Sequence, residues 1–135
     1  MATKTKIDYQ KIYEDAVAAG QAEAENVKVE PMIVGTPKNF FGDEIDFTQP
    51  TYVVAGGVCG FATVVITSAR GGFVQFLKMR NIGYKAYYGG YAISARPKVK
   101  GAFVQSMTIN EAWAGGFAEV LRENGIDASV ESRMD

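Results

Sequence analysis

The chain has 135 residues and 14.6 kDa, 47% hydrophobic and 21% charged, which suits one packed domain rather than a multidomain or disordered chain. It has no histidine and one cysteine, Cys59. That composition excludes Ser-His and Cys-His catalysis, histidine metal sites, an intrachain disulfide and a thiolate zinc site within one chain.

The net charge of −1 conceals a sorting along the chain. Residues 1–46 carry net −4, residues 47–110 carry seven bases and no acid, and residues 111–135 carry net −4. The N-terminus is polar, with Lys4, Lys6 and Lys11, and no apolar run reaches the roughly 20 residues of a membrane span. A cytosolic protein without a secretory signal is the expectation.

The first predicted element is a helix over residues 9–25. Asp8 is placed to cap it, and Tyr9, Ile12, Tyr13, Ala16 and Val17 form a stripe at helical spacing. Gly20 weakens its middle, and the Ala/Glu-rich end offers little to bury. This helix is expected to pack separately, at the domain edge or on a neighbouring subunit. Residues 26–50 contain Pro31, Gly35, Pro37, Gly42 and Pro50 and read as a long connection, with one short strand at Met32–Val34.

The core is expected from Thr51 onward. Thr51–Ala55 and Phe61–Thr67 read as a hairpin closed by a glycine-rich loop. Ser68 is placed to cap a helix from Arg70 to Met79, with its exit at Gly83. A β-rich run from Tyr84 to Ala95 follows, interrupted by Gly89-Gly90. Arg96–Gly101 reads as a protruding turn, and Ala102–Gln105 as a returning strand. Thr108-Ile109-Asn110-Glu111 has the pattern of a capping box. Behind it, Trp113, Phe117, Val120 and Leu121 lie on one apolar helix face, and Asn124-Gly125 supplies a left-handed stop. Ile126–Ser132 alternates as a half-buried strand.

Gly71-Gly72-Phe73 and Leu77 echo Gly115-Gly116-Phe117 and Leu121. Such an echo suggests a duplicated βαβ unit. The expected fold is therefore α/β (α+β), a two-layer sandwich of ββαβ(β)αβ order, ferredoxin-like if the duplication holds. The domain division is 1–50 for the helix and linker and 51–135 for the core.

The acid-free centre is the most informative segment. Ten of the sixteen aromatic residues fall in residues 47–110 with its seven bases. Cations neutralise phosphates, aromatic faces stack on bases, and glycines admit close approach of a backbone. Lys85, Tyr87, Tyr88, Gly89, Gly90, Arg96, Lys98 and Lys100 are accordingly the candidate residues for binding an anion, single-stranded nucleic acid or a nucleotide. Packing and self-association compete for the same residues, since the basic centre can pair with the acidic ends of its own or another chain. Ser68–Gly72 lacks the spacing of a phosphate loop, and Gly56–Gly60 joins strand to strand rather than strand to helix. Cys59 beside glycine and phenylalanine reads as a small buried hydrophobe, its use as a nucleophile being the alternative. Asp43, Glu44 and Asp46 read as a solvated loop and match no calcium-loop spacing. No catalytic residue, metal or cofactor is assigned.

An ordered series of short motifs adds a resemblance. Cys59-Gly60-Phe61-Ala62, Tyr87-Tyr88-Gly89-Gly90-Tyr91, Gln105-Ser106-Met107, Phe117–Arg122, Gly125-Ile126 and Ser132-Arg133-Met134-Asp135 occur in that order. The series resembles a family of small bacteriophage-encoded proteins, loosely over residues 8–26 and well over residues 51–135. The typical member has tryptophan where Tyr52 or Val53 stands here. The stretch from Gly90 to Gln105 is longer in this chain, which adds three of the seven bases. The resemblance implies a phage accessory protein acting in the host bacterial cytoplasm, and it brings no catalytic residue with it. It also implies that Arg133 and Asp135 are tied down, where composition alone would give a frayed tail. The expected function is a non-enzymatic binding protein that forms a homo-oligomer and engages nucleic acid, a nucleotide or a host protein, with no membrane partner. The alternatives are a structural oligomerisation protein and a small enzyme using Cys59 or the carboxylates.

Overall fold

The computed structural model describes residues 7–27, 32–34, 52–54, 60–98 and 106–134, with the backbone alone for 32–34 and 52–54. The elements are α1 (Tyr9–Asn26), β1 (Met32–Val34), β2 (Tyr52–Val54), β3 (Gly60–Ile66), α2 (Gly72–Met79), β4 (Tyr84–Lys85), β5 (Tyr91–Ser94), α3 (Met107–Glu123) and β6 (Ala128–Met134). The fold is α+β. A four-stranded antiparallel sheet has the order β4-β5-β3-β6, and β1 pairs with β2 in a two-stranded sheet.

The expected hairpin between Thr51–Ala55 and Phe61–Thr67 is not formed. Both edges of β3 are occupied, by β5 from Thr63↔Ser94 to Ile66↔Tyr91 and by β6 from Gly60↔Met134 to Ile66↔Ala128. A strand has two hydrogen-bonding edges, so none is left for β2. The strand expected at residues 102–105 lies outside the described residues.

α1 starts as the sequence predicts, with the Lys11 amide donating to Asp8 Oδ1 at 3.0 Å. It does not pack separately. Ile12, Ala16, Gly20 and Ala24 recur every fourth residue, form one stripe and are buried along α3. Small residues permit this approach. A Cβ on Gly20 would lie 2.7 Å from the Trp113 carbonyl oxygen, and one on Gly116 would lie 2.6 Å from that of Ala19. The position read as a helix weakness is thus a backbone contact.

Two helix starts also differ from expectation. Ser68 does not cap α2: its Oγ accepts from the Arg70 amide, and the N-cap is Gly71. α3 begins at Met107 with Ser106 as N-cap, which puts Thr108 inside the first turn. Asn110 explains the shift, because its Nδ2 donates to the Gly60 carbonyl at 2.9 Å while buried. That bond ties the helix start to β3, so tertiary structure overrides the local capping pattern.

The helix ends repeat each other. In α3, the Ile126 amide donates to the Leu121 carbonyl and the Gly125 amide to that of Arg122. In α2, Ile82 donates to Leu77 and Asn81 to Lys78. Both are Schellman motifs, with Gly125 and Asn81 at positive φ. Phe73, Leu77, Asn81 and Ile82 correspond to Phe117, Leu121, Gly125 and Ile126 at one constant offset, which the sequence echo had suggested less regularly. Between sheet and helices lie Val64, Ile66, Ile93, Phe73, Leu77, Trp113, Phe117 and Leu121.

Candidate functional site

The strand pattern separates two faces. Along β3, Ala62, Val64 and Ile66 are buried, Phe61 is exposed, and Thr63 and Val65 are half-buried. The buried set belongs to the core under the helices. Side chains alternate across a sheet, so Phe61, Thr63 and Val65 point to the face opposite that core. The register extends this phase sideways. Arg133 lies opposite Phe61, Glu131 and Ser94 flank Thr63, and Ala92 flanks Val65 with Tyr84 beyond it on β4.

These residues line a groove of about 630 Å³ together with Tyr87 and Tyr88. Four of its aromatics keep much of their surface in water: Phe61 is 53% exposed, Tyr84 50%, Tyr87 91% and Tyr88 95%. Exposed aromatic rings gathered in one groove are a departure from the scattered single apolar residues of an ordinary surface. The floor is banded. Phe61 and Arg133 form one row; Ser94, Thr63 and Glu131 form the next; Tyr84, Ala92 and Val65 form a third. The one ion pair among the described residues is Lys11–Asp15 on α1. Glu131 and Arg133, two positions apart on one face of β6, therefore stand as separate charges in the groove.

Tyr87 and Tyr88 form the tip of the β4–β5 hairpin. The Gly89 amide donates to the Ala86 carbonyl, and the Ala86 amide to that of Gly90. The two rings meet edge to face at 4.8 Å. Gly89 and Gly90 have φ of 105° and 85°, and a Cβ on Gly90 would run into the Ile66 carbonyl oxygen. The turn itself thus requires both glycines.

The remaining candidates are not all beside the tyrosines. Arg96 and Lys98 line a second groove of about 450 Å³ with Tyr13, Ile82 and Trp113. Tyr84 and Ser94 line both grooves. The backbone of Lys98 is clamped to α1: its amide donates to Gln21 Oε1 at 3.0 Å, and its carbonyl accepts from Gln21 Nε2. Lys85 is exposed and pairs with Tyr91, so it projects away from the face that holds Tyr84. Lys100 lies outside the described residues, as do Cys59, Asp43, Glu44, Asp46 and Asp135.

Other members of the basic, aromatic centre belong to the fold. Tyr91 is buried and donates its hydroxyl to the Ile82 carbonyl at 2.6 Å, with Lys78 Nζ 5.9 Å from its ring. Arg80 lies over Phe76 at 5.1 Å. Phe61, Tyr84, Thr63, Ser94, Glu131 and Arg133 were not among the candidate binding residues expected from the sequence. Their signal was the two-residue phase of β3 and β6, and it becomes readable only once the register is known.

Among the described residues, no group of three potential ligands is placed to hold a metal ion, and no helix is long and apolar enough to cross a membrane. No protein-family model, curated protein or solved structure matches the chain.

Proposed function

We propose that this protein is a non-enzymatic binding protein that takes single-stranded nucleic acid on the sheet face opposite its helix-packed core. The observation that carries the reading is the set of four exposed aromatics lining one groove with Arg133. Aromatic rings stack on any base, at about 1–3 kcal/mol per base, and an antiparallel sheet with helices on one face is a platform on which bases lie flat. In this reading the β3-α2-β4-β5-α3-β6 order is the ferredoxin-like arrangement. Lys85 on the edge strand β4, with Arg96 and Lys98 in the adjoining groove, would meet the phosphates that leave the first groove. The phage resemblance makes the protein an accessory or host-takeover factor, and its place of action the host bacterial cytoplasm.

Fluorescence anisotropy with a labelled ten-nucleotide DNA strand tests the proposal. Binding should weaken with salt, at a slope of about −2 in log K against log[salt] if about three phosphates are neutralised. Phe61→Ala and Tyr84→Ala should each weaken it by roughly 5- to 150-fold, the range set by one lost stack. Binding at low salt that neither substitution alters would overturn this site, and absence of binding would overturn the function.

A second reading, self-association, is favoured by one specific observation. Among the described residues, β6 is an edge strand of seven residues, with paired neighbours on one side only. A free edge of that length is a template for a second copy. Light scattering at working concentration should then show about twice the monomer mass. A species of 14.6 kDa alone would exclude it.

A further inference from the structure

The banded floor of the groove bears on which bases it takes, given the nucleic-acid reading above. Phe61 and Arg133 are register partners on adjacent strands. A base stacked on Phe61 therefore has a guanidinium about one strand spacing away, roughly 4.8 Å between backbones, placed to meet its phosphate. The next row on the same face is polar throughout: Ser94, Thr63 and Glu131. It lies about 6.6 Å further along the strands, two residues of rise. The Watson–Crick edge of a base lying over Phe61 would extend toward that row.

The chemistry of the row is asymmetric. The two hydroxyls donate or accept and suit any base edge. Ionised Glu131 only accepts, and it is exposed in the groove with no hydrogen bond or ion pair to another described residue. A carboxylate accepts from the exocyclic amine of cytosine and repels the carbonyl oxygen that thymine and uracil carry at the same ring position. We infer that Glu131, with Thr63 beside it, is a specificity-determining residue that selects cytosine over thymine or uracil at the Phe61 stacking position. Arg133 holds the phosphate and contributes no preference.

Anisotropy titrations with ten-nucleotide oligo-dC and oligo-dT at pH 8 test this directly. The unmodified protein should bind oligo-dC about 3- to 10-fold more tightly, the scale of one solvent-exposed charge-assisted contact. Glu131→Gln should bring the ratio to about 1, mainly by strengthening oligo-dT binding, because the glutamine amide can donate to the thymine carbonyl. Arg133→Gln should weaken both strands alike and leave the ratio unchanged. Equal binding of the two strands by the unmodified protein, or a ratio that Glu131→Gln leaves intact, would overturn the inference while the stacking function stands. Failure to bind either strand would overturn both. Circular dichroism checks that the variants are folded, as expected for substitutions at exposed positions of β6.

Discussion

Phe117→Ala is expected to cost about 3–5 kcal/mol of folding stability, the range for removing a fully enclosed aromatic ring. Phe117 has no solvent exposure. Its ring stacks on Trp113 at 5.0 Å and meets Tyr13 edge to face at 6.0 Å. One side chain of α3 thus joins the hydrophobic seam along α1 to the layer beneath the sheet. Truncation would lose both ring contacts and leave a cavity between elements that backbone contacts at Gly20 and Gly116 already hold close. Collapse into that space is therefore limited, which puts the cost toward the upper part of the range. Urea unfolding monitored by circular dichroism would measure it. A loss below about 1 kcal/mol would mean that the α1–α3 seam is not packed as described.

The neighbouring glycines offer a test in which the sign decides. Gly115 and Gly116 are adjacent in α3, and alanine favours a helix over glycine by about 1 kcal/mol. At Gly115 nothing lies within 4 Å of an added Cβ. Gly115→Ala should therefore stabilise the protein by up to about 1 kcal/mol. At Gly116 the added atom would meet the Ala19 carbonyl at 2.6 Å, and main chain cannot swing aside as a flexible side chain would. Gly116→Ala should destabilise by about 1–3 kcal/mol despite the gain in propensity. Gly116→Ala combined with Gly20→Ala should cost more, because both atoms wedge the same pair of helices apart. Thermal unfolding of the single variants side by side would settle the signs, and equal shifts for Gly115→Ala and Gly116→Ala would contradict the close approach.

The sequence made local structure legible and left pairing obscure. Asp8, the stripe of α1, the apolar face of α3 and the Asn124-Gly125 stop are signals carried by residues within a few positions of each other, and the structure bears them out. Even the echo between the two helices reported a real repetition of their ends. The errors came where distant chain segments compete. β3 has β-rich segments on both sides in sequence, and nothing in its composition says that β5 and β6 will take its edges. Thr108 has the right neighbours for a capping box, but the buried bond from Asn110 to the Gly60 carbonyl moves the start of α3. Gly20 looked like a flaw because its partner, the Trp113 carbonyl, is far away in sequence.

The candidate site shows the same division. Tyr87 and Tyr88 were legible because a hairpin tip announces itself through its glycines. Arg96 and Lys98 were expected beside them, yet they line the other groove, where Gln21 of α1 holds the Lys98 backbone. Glu131 was expected only on the polar side of the alternating strand, and Arg133 only as part of a tied-down end, so neither was a candidate for the site. Register alone carries them across from Phe61 and Thr63. The terminal Ser132-Arg133-Met134 is bound into β6, in keeping with a tied-down rather than a frayed end.

The strand order has a consequence for how the domain comes apart. Take the hairpin tip at Tyr87–Tyr88 as a seam dividing the chain. β3 and β4 precede it, and β5 and β6 follow it, yet in the sheet the two pairs alternate as β4-β5-β3-β6. Every hydrogen-bonded neighbour in the four-stranded sheet is thus a partner from the other side of the seam. α1 and α3, the most extensive helix pair, also lie on opposite sides of it. Neither half holds two neighbouring strands of that sheet, so neither can serve as a stable intermediate for the other. Melting is accordingly all-or-none, and a cut at the exposed tip would leave two fragments held together as one interlocked body.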